Sequence, residues 1–108
     1  MGYKTPDAPA RFEQTIKKSR FIALSTHVAD RERLTGFLDQ VAIEFPDARH
    51  VCYGAILGAP DTGQHLFSDD GEPSGTAGKP ILNVMLHSGF GDIATAVVRY
   101  FGGIKLGT

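Results

Sequence analysis

Phe67-Ser68-Asp69-Asp70-Gly71-Glu72-Pro73-Ser74-Gly75-Thr76-Ala77-Gly78-Lys79-Pro80 runs directly into Ile81-Leu82-Asn83-Val84-Met85-Leu86. The first stretch is too rich in glycine, proline and acidic residues to continue a strand or a helix, so it reads as a polar loop. The second is apolar, and Pro80 suits a first helical turn, where its missing N–H would have had no partner. A helix is expected from about Pro80 to His87, ended by Ser88-Gly89-Phe90-Gly91-Asp92, with glycine as the usual stop. The loop thus delivers its backbone to a helix N-terminus. Unpaired N–H groups and the positive end of the dipole favour an anion there, and Lys79 adds a mobile charge. On this reading Gly75, Thr76, Ala77, Gly78 and Lys79 offer backbone N–H groups to one anion. The competing reading is structural: Asp69, Asp70 and Glu72 accept hydrogen bonds from neighbouring N–H groups and cap the helix themselves.

A nucleotide loop of the Gly, four residues, Gly-Lys-Ser/Thr kind does not fit. Counting back from Gly78-Lys79 puts Pro73 at the first glycine, and Pro80 stands where the magnesium-binding hydroxyl belongs. The acidic half lacks the alternating ligands and distant glutamate of a calcium loop, so no metal site and no cofactor are expected.

Working outward, Arg11 to Ile16 and Phe21 to Val28 carry strand-like apolar positions, joined by the basic connection Lys17-Lys18-Ser19-Arg20. Asp30 can cap a helix reaching about Phe45, with Leu34, Phe37, Leu38, Val41 and Phe45 on one face and Pro46 as the stop. His50 to Leu57 reads as a strand, Gly58-Ala59-Pro60-Asp61-Thr62-Gly63 as a turn, and Gln64 to Ser68 as a short strand. Ile93 to Phe101 is nearly continuously apolar, as expected for a central strand covered on both faces. If that strand ends near the acidic loop, Arg99, Lys105 and Lys79 form a positive rim beside Asp69, Asp70 and Glu72. The alternative is that Arg99 pairs with one of those carboxylates and fixes the loop. Arg31, Glu32, Arg33, Asp39 and Glu44 read as a solvated helix face. Lys17, Lys18 and Arg20 form the other basic cluster, either a solvated hairpin turn or an RNA contact.

With 108 residues, 42% of them hydrophobic, the chain supports one core and one domain. A formal net charge of -1 argues against a generally basic nucleic-acid binder, so any RNA contact must be local. No apolar run approaches a membrane span or a signal-peptide core, and a cytoplasmic location is expected. Cys52 is the single cysteine, which excludes an internal disulfide. His50 and Cys52 share a strand face, but the surrounding Val51-Cys52-Tyr53-Gly54-Ala55-Ile56-Leu57 reads as buried, which makes Cys52 a small hydrophobe. His27, His65 and His87 lack zinc-ligand spacing. No nucleophile, base and orienting group can be assembled by spacing, so no catalytic residue is assigned.

Asp69 to Pro80, together with Val97-Val98-Arg99-Tyr100-Phe101-Gly102-Gly103-Ile104-Lys105-Leu106-Gly107-Thr108, resembles the IMPACT/YigZ family. Lys17-Lys18-Ser19-Arg20-Phe21-Ile22 and Phe45-Pro46-Asp47-Ala48-Arg49-His50 resemble its N-terminal domain as well. The resemblance spans nearly the whole chain. It implies an α+β domain similar to the fourth domain of elongation factor G: a mixed, mainly antiparallel sheet with two helices packed on one face. It implies links to translational control, with RNA, the ribosome or a regulatory protein as partner, and it brings no catalytic residues. The expected function is therefore a translation-associated binding domain. The alternative is a hydrolase or transferase acting on a phosphorylated small molecule, with Asp69, Asp70 or Glu72 as acid/base or cation ligand.

In the family the pattern at Gly102 to Thr108 continues into a further helix and later a second domain. The chain is accordingly expected to be a shortened N-terminal piece with an uncovered apolar sheet face, and to self-associate or to have low stability.

Overall fold

Ala10–Ile16 (β1) and Ser19–His27 (β2) form an antiparallel hairpin in register from Ala10 opposite Ser25 to Ile16 opposite Ser19. The connection is two residues, Lys17 and Lys18, rather than the expected four, because Ser19 and Arg20 already pair with Ile16 and Thr15. Arg31–Glu44 (α1) follows, capped by Asp30, whose carboxylate accepts the Arg33 N–H at 2.8 Å. His50–Leu57 (β3), Gln64–Ser68 (β4), Gly78–His87 (α2) and Ile93–Phe101 (β5) complete the element order. The computed structural model describes residues 2–48, 50–70, 75 and 77–101.

The five strands form one sheet in the order β1-β2-β5-β3-β4, with every neighbouring pair antiparallel. As the apolar run of β5 suggested, this strand is central, between β2 and β3. The α+β class and the antiparallel sheet agree with the sequence reading, but the helices do not share a face. Strand residues alternate sides. Ala55 and Leu57 of β3 with Ala94, Ala96 and Val98 of β5 point to the side where Leu34 and Val41 of α1 and its C-cap Phe45 pack. Ile56 and Ile93 point to the other side, against Leu82 and Met85 of α2. Both parities of β3 and β5 are apolar, so each strand supplies a core to each face and the helices take opposite sides.

On the α2 side the approach is close at Gly54, where a Cβ would stand 2.8 Å from the Leu82 nitrogen. The helix begins two residues earlier than expected and places Pro80 inside its first turn. It ends at His87, and Gly89 just beyond has a φ of 80°, the left-handed geometry expected of a glycine stop. This helix lies over β3 and β4. Toward the β1 edge the same sheet face presents Phe12, 64% exposed, and Ile16, 48% exposed.

Candidate functional site

The acidic-glycine loop is organised by Asp69. Its Oδ1 accepts the N–H groups of Ala77 at 3.1 Å and Gly78 at 2.7 Å, and its Oδ2 accepts that of Gly75 at 2.9 Å. The N–H groups that the sequence offered to an external anion at these three positions therefore bind an internal carboxylate at the α2 N-terminus. The Gly75 hydrogen bond, then that of Gly78, holds the Asp69 carboxyl below its ordinary range, with desolvation opposing and Ala77 assisting. The hydrogen bonds also require close backbone approach: a Cβ on Gly78 would stand 2.6 Å from the Ser68 carbonyl oxygen.

Asp70 acts on β3 instead. Its Oδ2 accepts the Val51 N–H at 2.7 Å, its carbonyl oxygen lies 2.6 Å from His50 Nδ1, and its φ of 45° is left-handed. His50 is in turn the cross-strand partner of Arg99, which pairs on its other side with Phe21. The end of β5 thus reaches the acidic loop through His50. Lys79 is exposed on the second residue of α2. Glu72, Thr76 and Lys105 lie outside the described residues. Cys52 is buried, and its Sγ–H donates to the Asp69 carbonyl at 3.1 Å. Among the described residues no group of three His, Cys, Asp or Glu gathers to hold a metal ion, and no helix is long and apolar enough to cross a membrane.

The second candidate cluster is divided by the sheet. Arg20 ion-pairs with Glu13 across the hairpin, and its guanidinium lies 5.7 Å from the centre of the Tyr100 ring. That hydrogen bond raises the Arg20 pKa and lowers that of Glu13. Arg20 therefore belongs to a neutral pair. Lys17 and Lys18 remain exposed at the tip, and among the described residues no carboxylate pairs with either. Their φ values of 50° and 70° are both left-handed, the arrangement of a type I′ turn, which normally selects Asn-Gly.

Sequence reasoning missed Asp92. Its Oδ1 accepts the Gly58 N–H and its Oδ2 the Tyr3 hydroxyl, each at 2.9 Å, while its backbone N–H donates to the Gly58 carbonyl at 3.1 Å. The hydrogen bond to Asp92 raises the Tyr3 pKa. Through these contacts one residue ties the N-terminal segment, the β3–β4 turn and the start of β5 together. In sequence it carried only the signal of a helix terminator.

The sequence matches the Impact N-terminal domain over residues 17–108. It is 53% identical over 104 residues to IMPACT family member YigZ of Escherichia coli (strain K12), covering 95% of this chain and 51% of that protein. It is 39% identical over 106 residues to IMPACT family member YvyE of Bacillus subtilis (strain 168), covering 98% and 48%. A crystal structure described as that of a hypothetical protein superposes with a TM-score of 0.90 at 48% identity, covering 94% of this chain and 50% of that one. The two-domain translational regulator Yih1 shares the fold at a TM-score of 0.59 and 23% identity, covering 89% and 36%. The chain spans about half the length of the curated relatives it matches.

Proposed function

The chain belongs to the Impact N-terminal domain family, and from that premise we propose that it is a cytoplasmic binding module of translational regulation that contacts RNA phosphates, on the ribosome or on a structured RNA, through the tip of its first hairpin. The observation that carries this reading is the pair Lys17 and Lys18, two adjacent cations at a two-residue turn, both with left-handed φ. A left-handed non-glycine residue costs roughly 1–2 kcal/mol. Asn-Gly would close the same turn with less strain, so the lysines give up stability for charge at a protruding point. Strain of this kind concentrates at binding sites. A local contact also agrees with a net charge of -1, which argues against a generally basic binder. The description of Yih1 as a translational regulator supports the regulatory setting.

Asp69 and Asp70 both accept backbone N–H groups. These bonds explain the two carboxylates as parts of the scaffold, and the reading as a hydrolase or transferase gains nothing from them.

Amide NMR spectra recorded during titration with a structured RNA hairpin test the proposal. Shifts at Ile16 through Arg20 that appear first and saturate are expected. Shifts confined to other parts of the sheet, or none at millimolar RNA, would overturn it, and the second of these outcomes would turn attention to a protein partner.

A further inference from the structure

Among the described residues nothing pairs with the outer edge of β1. All seven residues from Ala10 to Ile16 are exposed, and among the described residues β1 has only β2 as a neighbour. A two-residue turn makes its flanking residues, Ile16 and Ser19, a hydrogen-bonded pair. Alternation along an antiparallel ladder then turns the N–H and C=O groups of Gln14 and Phe12 toward β2 and those of Thr15, Glu13 and Arg11 outward. Edges of this kind accept another strand unless charge or proline prevents it.

We propose that two copies of this chain pair antiparallel along β1, related by a two-fold axis at Phe12. This register sets Arg11 opposite the partner's Glu13, and Glu13 opposite the partner's Arg11, as the pairs that exchange backbone hydrogen bonds. Phe12 meets the partner's Phe12 in the closer, non-hydrogen-bonded pair between them. Two rings that are 64% exposed in the single chain cover each other. On the opposite face Arg11 already binds Glu44 at 2.6 Å, and Glu13 already binds Arg20. Pairing merges these contacts into a row of alternating charge across the seam.

The charges also exclude the neighbouring two-fold registers. An axis at Glu13 would set Glu13 against the partner's Glu13, and an axis at Arg11 would set two arginines together. An axis at Gln14 would bring Arg11 against the partner's Lys17. Like charges directly opposite destabilise a pair, so charge complementarity selects Phe12. An edge of seven residues buries less than the ~1,200 Å² typical of stable interfaces, so association is weak and is favoured at high protein concentration.

Sedimentation velocity of the 108-residue chain from roughly 10 μM to 1 mM, spanning the weak-interface range, should show a reversible monomer–dimer equilibrium. Glu13→Arg opposes Arg11 to a second cation and should weaken the dimer about tenfold or more, a change of about 1.4 kcal/mol. The double variant Arg11→Glu/Glu13→Arg restores opposite signs and should recover it. Glu13→Pro removes an outward N–H without touching the ladder to β2 and should also abolish pairing, with far-ultraviolet circular dichroism reporting that the fold is kept. A monomer at 1 mM overturns the proposal. So does a dimer that persists in both Glu13→Arg and Glu13→Pro, which would move the contact to the apolar sheet face.

Discussion

Asp69 Oδ1 accepts the backbone N–H of Gly78 at 2.7 Å across nine positions of sequence. The carboxylate that caps α2 thus comes from the end of β4, beyond the reach of a local capping motif. This bond couples the sheet to the helix, and its partners at Gly75 and Ala77 close the intervening turn on the same side chain. A glycine-rich loop at a helix N-terminus therefore carries its own anion.

Asp69→Asn should lower the unfolding midpoint in urea at pH 7, because the amide is a weaker acceptor than the carboxylate. The sign of the pH dependence follows from the lowered pKa. Asp69 stabilises the fold fully above its ordinary value of 3.8 and loses that contribution as pH falls through the lower folded value. The difference between wild type and variant should accordingly be largest near neutrality and shrink in strong acid. A difference that stays constant from pH 7 to pH 2 would mean that the cap is not ionised in the fold.

Replacing the hairpin tip by Lys17→Asn/Lys18→Gly should stabilise the chain by about 1–2 kcal/mol, since left-handed φ is nearly free of cost for these two residues. The same variant should lose RNA affinity. Equilibrium denaturation and a binding titration on one preparation measure both. Unchanged stability would mean that the two lysines are not strained.

Gly54→Ala should cost about 1–3 kcal/mol, because its Cβ would meet the backbone of Leu82 at 2.8 Å and push α2 from the sheet. Gly36→Ala has nothing within 4 Å in the middle of α1 and should stabilise by roughly 0.5–1 kcal/mol. Ile56→Ala, at a fully buried position under α2, should cost about 2–5 kcal/mol. Opposite signs for the two glycine variants are the diagnostic result, read from denaturant midpoints at constant slope.

What could be read from the sequence was local. Asp30 followed by apolar positions at helical spacing defined α1, and the apolar runs of β3 and β5 with the turn residues between β3 and β4 marked the strand bounds. The placement of the helices on opposite faces was not legible. Ala55, Ile56 and Leu57 are all apolar, so β3 offers a core on either side and only the tertiary fold assigns a helix to each. The turn at Lys17-Lys18 carried no Asn or Gly to mark it as two residues. Asp92 meets Gly58 across 34 positions, a separation at which no local pattern signals a partner. At the candidate site, the capping reading of Asp69 and the charge of Lys17 and Lys18 were both visible. The sequestration of Arg20 by Glu13 was not, because Arg20 lies directly opposite Thr15 and reaches Glu13 diagonally, two residues along β1.

The salt dependence of binding to purified ribosomes, measured for wild type and for Lys17→Ala/Lys18→Ala, decides whether the hairpin tip contacts RNA phosphates. Each phosphate contact contributes a slope of roughly -0.7 to -0.9 in log affinity against log salt. The wild-type slope should be near two such contacts, and the double variant should bind more weakly with a slope close to zero. Equal affinity and equal slope in the two proteins would contradict that contact and return Lys17 and Lys18 to a solvated turn.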